Sequence, residues 1–432
     1  MAERAPPPLR RAGGWGARIT RADFSKTSTG TGLTPAQLVS TADYKQADLS
    51  GLILGGNNLS GCNLSGRNLT GTSFTSATLT GANFTDAQAA QADFSGTVAR
   101  GFTPAQLYST GSYKNSHLRG IRLGGNNLSQ WNLAGQNLTD ADFDGATLAI
   151  TVFTGADLAG ANFRTANLAN ADLTDAWIAQ ADFSAALGFS PAQLYSTASY
   201  ESHDLHGVRF GGSVAASGAL NPDNLGNWNL AGQDLTDSLL ASANSANTDL
   251  TGADLRGAPG LTRSRLAVAI TRNAIRPDGR IPGLRLADGE TLLIRDYEGR
   301  IPITIQGVME LAEGSVFQIL LRDPTWGSTI SFEPGTLLSI AGDLKLSLAA
   351  DVDPDASVGH TFKLFDWADV GSTAGFHGVL SDLQWDTSRL YSTGEVTLVG
   401  LVPEPGCAAV VVLGALACLG RWRHRLSRCS CR

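Results

Sequence analysis

Ala156-Asp157-Leu158-Ala159-Gly160-Ala161-Asn162-Phe163-Arg164-Thr165-Ala166-Asn167-Leu168-Ala169-Asn170-Ala171-Asp172-Leu173 repeats itself every five residues. Each unit is centred on a large apolar residue, here Leu158, Phe163, Leu168 and Leu173. A small residue stands two places before each centre, and Asp or Asn one place before. Neither an α-helix nor an ordinary strand has this period. Outward from this stretch the spacing holds from Tyr113 to Phe183 without a lapse, through Leu128 and Leu138. An earlier run goes from Tyr44 to Phe94, through Leu49 and Leu59, with Ala89 as its lapse. A later run goes from Tyr200 through Phe210, Leu225, Leu230, Leu235 and Leu250 to Leu255, with lapses at Ala215 and Ser245. Centres and small residues are expected to face an axis, while Asp, Asn, Ser and Thr point outwards.

Units of the form A(D/N)LXX resemble the pentapeptide-repeat family, and the resemblance covers roughly residues 44–257. It implies an all-β fold, a right-handed quadrilateral β-helix with one unit per face and four per coil. Stacked coils about 4.8 Å apart would pair their backbones along the axis. The repeat core then includes Leu49, Leu59, Leu128, Leu138, Leu158, Phe163, Leu168, Leu173, Leu230 and Leu235.

A longer repeat punctuates the runs: Leu33-Thr34-Pro35-Ala36-Gln37-Leu38, Phe102-Thr103-Pro104-Ala105-Gln106-Leu107 and Phe189-Ser190-Pro191-Ala192-Gln193-Leu194. Each reads as a helix start, with Thr or Ser as N-cap, Pro at the first helical position and Gln completing a capping box. Phe94 to Tyr113 and Phe183 to Tyr200 are not multiples of five, so each helix is expected to be a spacer that absorbs the remainder, with slack across Ala185 to Gly188. Leu54-Gly55-Gly56-Asn57-Asn58-Leu59 is echoed by Leu123-Gly124-Gly125-Asn126-Asn127-Leu128. The third module inserts ten residues between Gly212 and Asn224, as two extra faces or a bulging loop. Cys62, Trp131 and Trp228 occupy equivalent small-residue slots. An indole is too large for that slot, so distortion or an outward ring is expected, with ligand stacking as the functional alternative.

Beyond Leu261 the period disappears, and alternating β-branched segments read as short strands. They are Thr291–Arg295, Ile301–Ile305, Val316–Leu321, Thr329–Phe332, Leu337–Ile340, Leu344–Leu348, Thr361–Phe365 and Glu395–Val399. Phe365-Asp366-Trp367 and Trp385-Asp386-Thr387-Ser388 resemble the closing segment of autotransporter-like passengers, which implies a solenoid-like domain; a sandwich is the alternative. At the end, Val402-Pro403-Glu404-Pro405 precedes an apolar stretch, 406–420, and the cations Arg421, Arg423, Arg425 and Arg428. This order resembles a PEP-CTERM sorting signal. It implies processing by an exosortase-type enzyme after transient residence in the inner membrane, with the cations on the cytoplasmic side. A plain single-pass anchor is the alternative. The expected organisation is 1–32 flexible, 33–260 a β-helix in three modules (33–101, 102–188, 189–260), 261–401 β-rich, and 402–432 the sorting signal. Met1 to Phe24 shows no apolar leader core, so the start is expected to be misassigned.

Composition narrows the function. Gly supplies 50 of 432 residues and charged residues 16%, and the formal charge is -7. That charge provides no broad cationic surface for nucleic acid. Four of five cysteines lie at Cys407, Cys418, Cys429 and Cys431, which removes a disulfide scaffold or zinc site from the body. His203 and His206 resemble a metal pair, yet the frame turns His203 inward and His206 outward. Asp140, Asp142 and Asp144 begin like a calcium loop but lack its closing glutamate, since Thr151 stands there; Asp351, Asp353 and Asp355 are another weak candidate. No catalytic residue, metal site or cofactor is expected. The leading function is a non-enzymatic structural or adhesive solenoid of the envelope or extracellular space. Its polar faces would bind polysaccharide or an envelope protein, with no nucleic acid. The alternatives are a DNA mimic for topoisomerases, as the family resemblance allows, and a carbohydrate-active β-solenoid enzyme.

Overall fold

The computed structural model describes residues 18–19, 21–26, 32–210, 225–240, 245–262, 266–297, 299, 301–322, 326–350, 352–370 and 375–401. Two compact units divide between Ile281 and Pro282.

In the first unit every isolated bridge is parallel. Within the first two runs each joins residues 20 apart, as Asn63 with Asn83, Asp142 with Asn162 and Asn162 with Asp182. Four five-residue faces therefore complete one coil of a β-helix. Ala156, Leu158, Ala161, Phe163, Ala166 and Leu168 are fully buried, so the small slot and the centre together fill the axis. Leu49, Leu59, Leu128, Leu138, Leu173, Leu230 and Leu235 are at most 1% exposed. Phe143, Phe163 and Phe183 stack coil upon coil with centroids 5.1 Å apart.

Faces meet at β-turns in which the small residue donates its N–H to the preceding centre, as Ala161 to Leu158 O at 2.9 Å. The third turn residue has positive φ, the type II signature that favours Gly or Asn. Gly160 has φ +68°, and Asn170 has +57°. Ile150 is β-branched and 54% exposed, yet is held at φ +61°. Ile150→Asn is therefore expected to stabilise by about 1 kcal/mol; an unchanged urea midpoint would count against this strain.

The three spacers are helix pairs: α1 (Pro35–Ser40) and α2 (Ala42–Lys45), α3 (Pro104–Ser109) and α4 (Gly111–Lys114), α5 (Pro191–Tyr195) and α6 (Ala198–Glu201). Thr34, Thr103 and Ser190 close full capping boxes with Gln37, Gln106 and Gln193. The glutamines of the later two also fasten the spacer to the stack. Gln106 Nε2 donates to Leu79 O and Ala82 O, and Gln193 Nε2 to Leu168 O and Ala171 O, all at 2.8–2.9 Å. Glutamate serves equally well in a capping box, but here it would set a carboxylate against two carbonyls. Gln193→Glu is expected to cost about 2–3 kcal/mol, read as a lowered urea midpoint.

The spacers let Asp93 bridge Arg122, 29 residues on, and Asp182 bridge Arg209, 27 on. Ala185 to Gly188 is not slack: Ala186 is buried, Leu187 bridges Asn167, and a Cβ at Gly188 would lie 2.8 Å from Ala169 Cα. The coil thus runs to Gly188. Tyr113 and Tyr200, expected as centres, lie half-buried on α4 and α6. Ser112 and Ser199 are buried there instead, each hydroxyl accepting a core N–H, from Ala89 and Ile178. In the third module Asp204 bridges Asp234, and Arg209 bridges Leu239, 30 residues apart. The ten-residue excess falls within one coil, and residues 211–224, which contain it, lie outside the described residues.

Bridging extends past both expected bounds, from Asp23 with Ile53 to Asp254 with Ile275. The last pairs, Asp249 with Ile270 and Asp254 with Ile275, are 21 apart. One added residue hides this coil from a five-residue frame.

In the second unit the strands are β1 (Arg280–Leu286), β2 (Thr291–Arg295), β3 (Ile303–Leu311), β4 (Val316–Leu321), β5 (Ile330–Phe332), β6 (Leu337–Ile340), β7 (Asp343–Leu348), β8 (Thr361–Lys363), β9 (Val379–Leu380), β10 (Leu383–Asp386) and β11 (Glu395–Leu401). β2, β4, β7 and β9 form a parallel sheet; a second sheet orders β1, β3 and β5, with β6 also on β3. The chain alternates between these sheets and buries Ile294, Phe317, Ile319 and Leu344. An antiparallel sheet, β10-β11-β8, follows. β1 escapes sequence reading because Pro282 and Gly283 interrupt it, although Leu284 and Leu286 are buried.

Candidate binding surface

The outward rows are built from the Asp or Asn before each centre. Its side-chain oxygen accepts the N–H two residues on: Ala159 to Asp157 and Ala169 to Asn167 at 3.1 Å, Thr174 to Asp172 at 3.0 Å. Both residue types form this turn, which is why the position tolerates either. Carboxylates are further satisfied across coils. Thr139 donates to Asp157 at 3.1 Å, Thr154 to Asp172 and Asn162 to Asp142 at 2.9 Å; Asp182 lies 3.9 Å from Arg164 and 4.0 Å from Arg209. Hydrogen bonds from Thr174 hold the Asp172 carboxyl below its ordinary range. The stabilisation this carries is complete above about pH 4 and lost as acid protonates the folded state.

In the third module Asp204, Asp234 and Asp254 stack in one column. His206 Nδ1 lies 2.5 Å from Asp204, Thr236 donates to Asp234 at 2.7 Å, and Arg256 Nη2 to Asp254 at 2.6 Å. Arg256 is fully buried and Asp254 nearly so; burial pushes the Asp254 carboxyl up, opposed by the guanidinium beside it.

The sequence candidates are not brought together. His203 is exposed, not inward, because it follows α6 at φ +59° and Ser199 has the interior place. It contacts Gln233, whereas His206 contacts Asp204 and Gln180. Asp140 pairs with Arg119, Asp142 accepts from Asp144 N–H and Asn162, and Asp144 accepts from Thr165. Asp353 accepts the N–H of Asp355, and Asp351 lies outside the described residues. Among the described residues no group of three or more His, Cys, Asp or Glu is placed to hold a metal.

Trp131 and Trp228 are 4% and 7% exposed, so neither ring turns outward. Trp131 packs 6.1 Å from Phe102 and 6.4 Å from Tyr108; Trp228 packs 6.1 Å from Phe189. The spacers provide the room that the five-residue frame lacks. Cys62 in the equivalent slot is buried, which pushes its thiol to about 11. Among the described residues the exposed indole is Trp177, 47% exposed, standing where its column otherwise carries His117, Asn137 and Asp157. Its signal in the sequence is a tryptophan in an Asx position, Ala176-Trp177-Ile178. The Val402, Pro403, Glu404, Pro405 motif, the 406–420 stretch and Arg421, Arg423, Arg425 and Arg428 lie outside the described residues. Among the described residues no helix is long and apolar enough to cross a membrane.

Eight copies of the family described as Pentapeptide repeats match residues 58–96, 116–149 and 151–184. The chain carries pentapeptide repeats. The pentapeptide ladder continues beyond these matches through the third module. Similar solved structures include HetL, a pentapeptide repeat protein involved in heterocyst differentiation regulation in Nostoc sp. strain PCC 7120. It is 19% identical, with 68% of this chain and 83% of that chain covered and a TM-score of 0.16. A pentapeptide repeat protein of the Arabidopsis thaliana thylakoid lumen is 21% identical, with coverage of 33% and 73% and a TM-score of 0.10. Trypsin-treated QnrB1, a plasmid-mediated fluoroquinolone resistance protein, is 14% identical, with coverage of 52% and 88% and a TM-score of 0.15. No curated protein sequence matches the chain.

Proposed function

We propose that this chain is a non-enzymatic, exported binding solenoid of the cell envelope or extracellular matrix, built on a right-handed quadrilateral β-helix and followed by a solenoid-like second unit. The observation that carries the binding role is the chemistry of the outward rows. Their acids are interleaved with Asn, Thr and Arg, so the faces offer closely spaced donors and acceptors with little uncompensated charge. Such a surface suits a polysaccharide or an envelope protein. A DNA mimic needs a dense unneutralised acidic row, so purified protein is expected to leave topoisomerase supercoiling unchanged; potent inhibition would favour mimicry.

Location in this reading rests on the tail. Pro403 and Pro405 cannot continue a helix, the 406–420 stretch is short for a span, and Arg421, Arg423, Arg425 and Arg428 form a cationic stop. An exosortase-type enzyme would cut near Pro405 and release the body from the inner membrane. Pro403→Ala with Pro405→Ala should leave an uncut, membrane-bound precursor. Cell fractionation with mass spectrometry of both mature termini tests this; an intact Arg432 terminus in the native host, exosortase present, rejects sorting in favour of a plain anchor.

A further inference from the structure

We propose that the β-helix face bearing Trp177 is a glycan-binding platform whose indole stacks on the apolar face of a sugar ring. The inference rests on the binding role proposed above and names its ligand class and principal residue.

Trp177 ends a column that runs Asn137, Asp157, Trp177 through successive coils. Its backbone is fixed on one side, where its N–H donates to Ala156 O at 2.9 Å and its carbonyl accepts from Leu158 at 2.7 Å. The next coil is replaced by the spacer: Ile178 N–H meets the Ser199 hydroxyl, and Gln180 N–H meets His206 O. The indole therefore stands on a rigid face below a step. Beside it along the face are Ala159 and Ala179, too small to cover a ring. No ring contact or indole hydrogen bond ties it to the described residues. At the equivalent place before the second spacer stands Gln88, exposed and polar, so the fold does not require an aromatic residue here.

Polar groups of both kinds lie along the Trp177 column and at the turns on either side of it. Asp157 and the exposed Asp175 offer acceptors, while the Asn137 amide and Gln180 offer donors. An exposed aromatic surface on a face that also carries donors and acceptors fits a molecule with an apolar ring face and a hydroxyl rim. A protein partner would be favoured by an apolar patch around the anchor, whereas the neighbours here are alanines and polar residues. A neutral polysaccharide is the chemistry that fits, because Asp157 and Asp175 disfavour a polyanion.

The test is affinity electrophoresis and titration calorimetry of the full chain with β-1,4-glucan, β-1,3-glucan, α-mannan and polyanionic alginate. Wild type should bind at least one neutral glycan and not alginate. Trp177→Ala should weaken that binding at least tenfold, Trp177→Phe should retain part of it, and both should melt with the wild type. If wild type binds a neutral glycan and Trp177→Ala binds it equally well, the platform is overturned while the polysaccharide reading stands. If wild type binds no glycan, or alginate alone, both fail.

Discussion

Leu158→Asp is expected to destabilise the β-helix by at least about 4 kcal/mol, whereas Asp157→Asn one residue away should be nearly silent. Leu158 is fully buried between coils, so the substitution removes an apolar side chain and leaves a carboxylate without water or a cation. Asp157 lies on the outward row, and its oxygen accepts the Ala159 N–H; asparagine keeps that acceptor. Thr139 donates to the other carboxylate oxygen, which becomes the amide NH2; that group can donate to the Thr139 hydroxyl instead, so only a charge-assisted increment is lost. Thermal melts of the two variants decide the matter, and comparable midpoints would refute the inward and outward assignment.

Removing twenty residues should cost less than removing one. Excising Asp140–Ala159 takes out a whole coil and joins Thr139 to Gly160, so each later residue keeps its face and finds a parallel partner. The spacer contacts of Trp131, Gln106 and Gln193 lie outside that coil, and the expected loss is below about 2 kcal/mol, the share of one repeat. Deleting Ala159 alone moves every side chain up to α5 off its face, burying Asn162 and Asn167 and exposing Phe163 and Leu168. That is the single-residue slip of a sheet register, repeated on several faces, and should exceed about 5 kcal/mol. A urea series on both deletions reads the difference; a milder single-residue deletion would refute the 20-residue ladder.

What was legible in the sequence is what depends on neighbours within a few residues. The five-residue period located the buried centres, and the Thr/Ser-Pro-x-Gln pattern located the helix starts because a capping box is closed within one turn. The docking of those helices was not legible. Asn57 and Asn126 sit in small-residue slots as buried polar groups, satisfied by distant backbone. Asn57 accepts from Leu33 N–H and donates to Phe24 O, while Asn126 accepts from Val98 N–H and donates to Phe94 O. The LGGNN echo was visible, but its partners lie 24 to 33 residues earlier. Trp131 was misread for the same reason: the size of its slot is set by Phe102 and Tyr108 on the spacer. Trp177 was overlooked because the frame explains the position and says nothing of a residue that departs from it.

The 20-residue spacing of the bridges also governs how the chain finds this arrangement. Each new coil closes a loop of fixed length, however long the solenoid has grown, so the entropic toll of adding a coil does not rise with distance from the first. Order can start wherever one pair of coils meets and spread to either side, with low contact order for an all-β chain. The spacers lengthen that loop to only 27–30 residues. A segment emerging from a ribosome or a translocation pore can therefore consolidate on the coil before it, without waiting for the remainder of the chain.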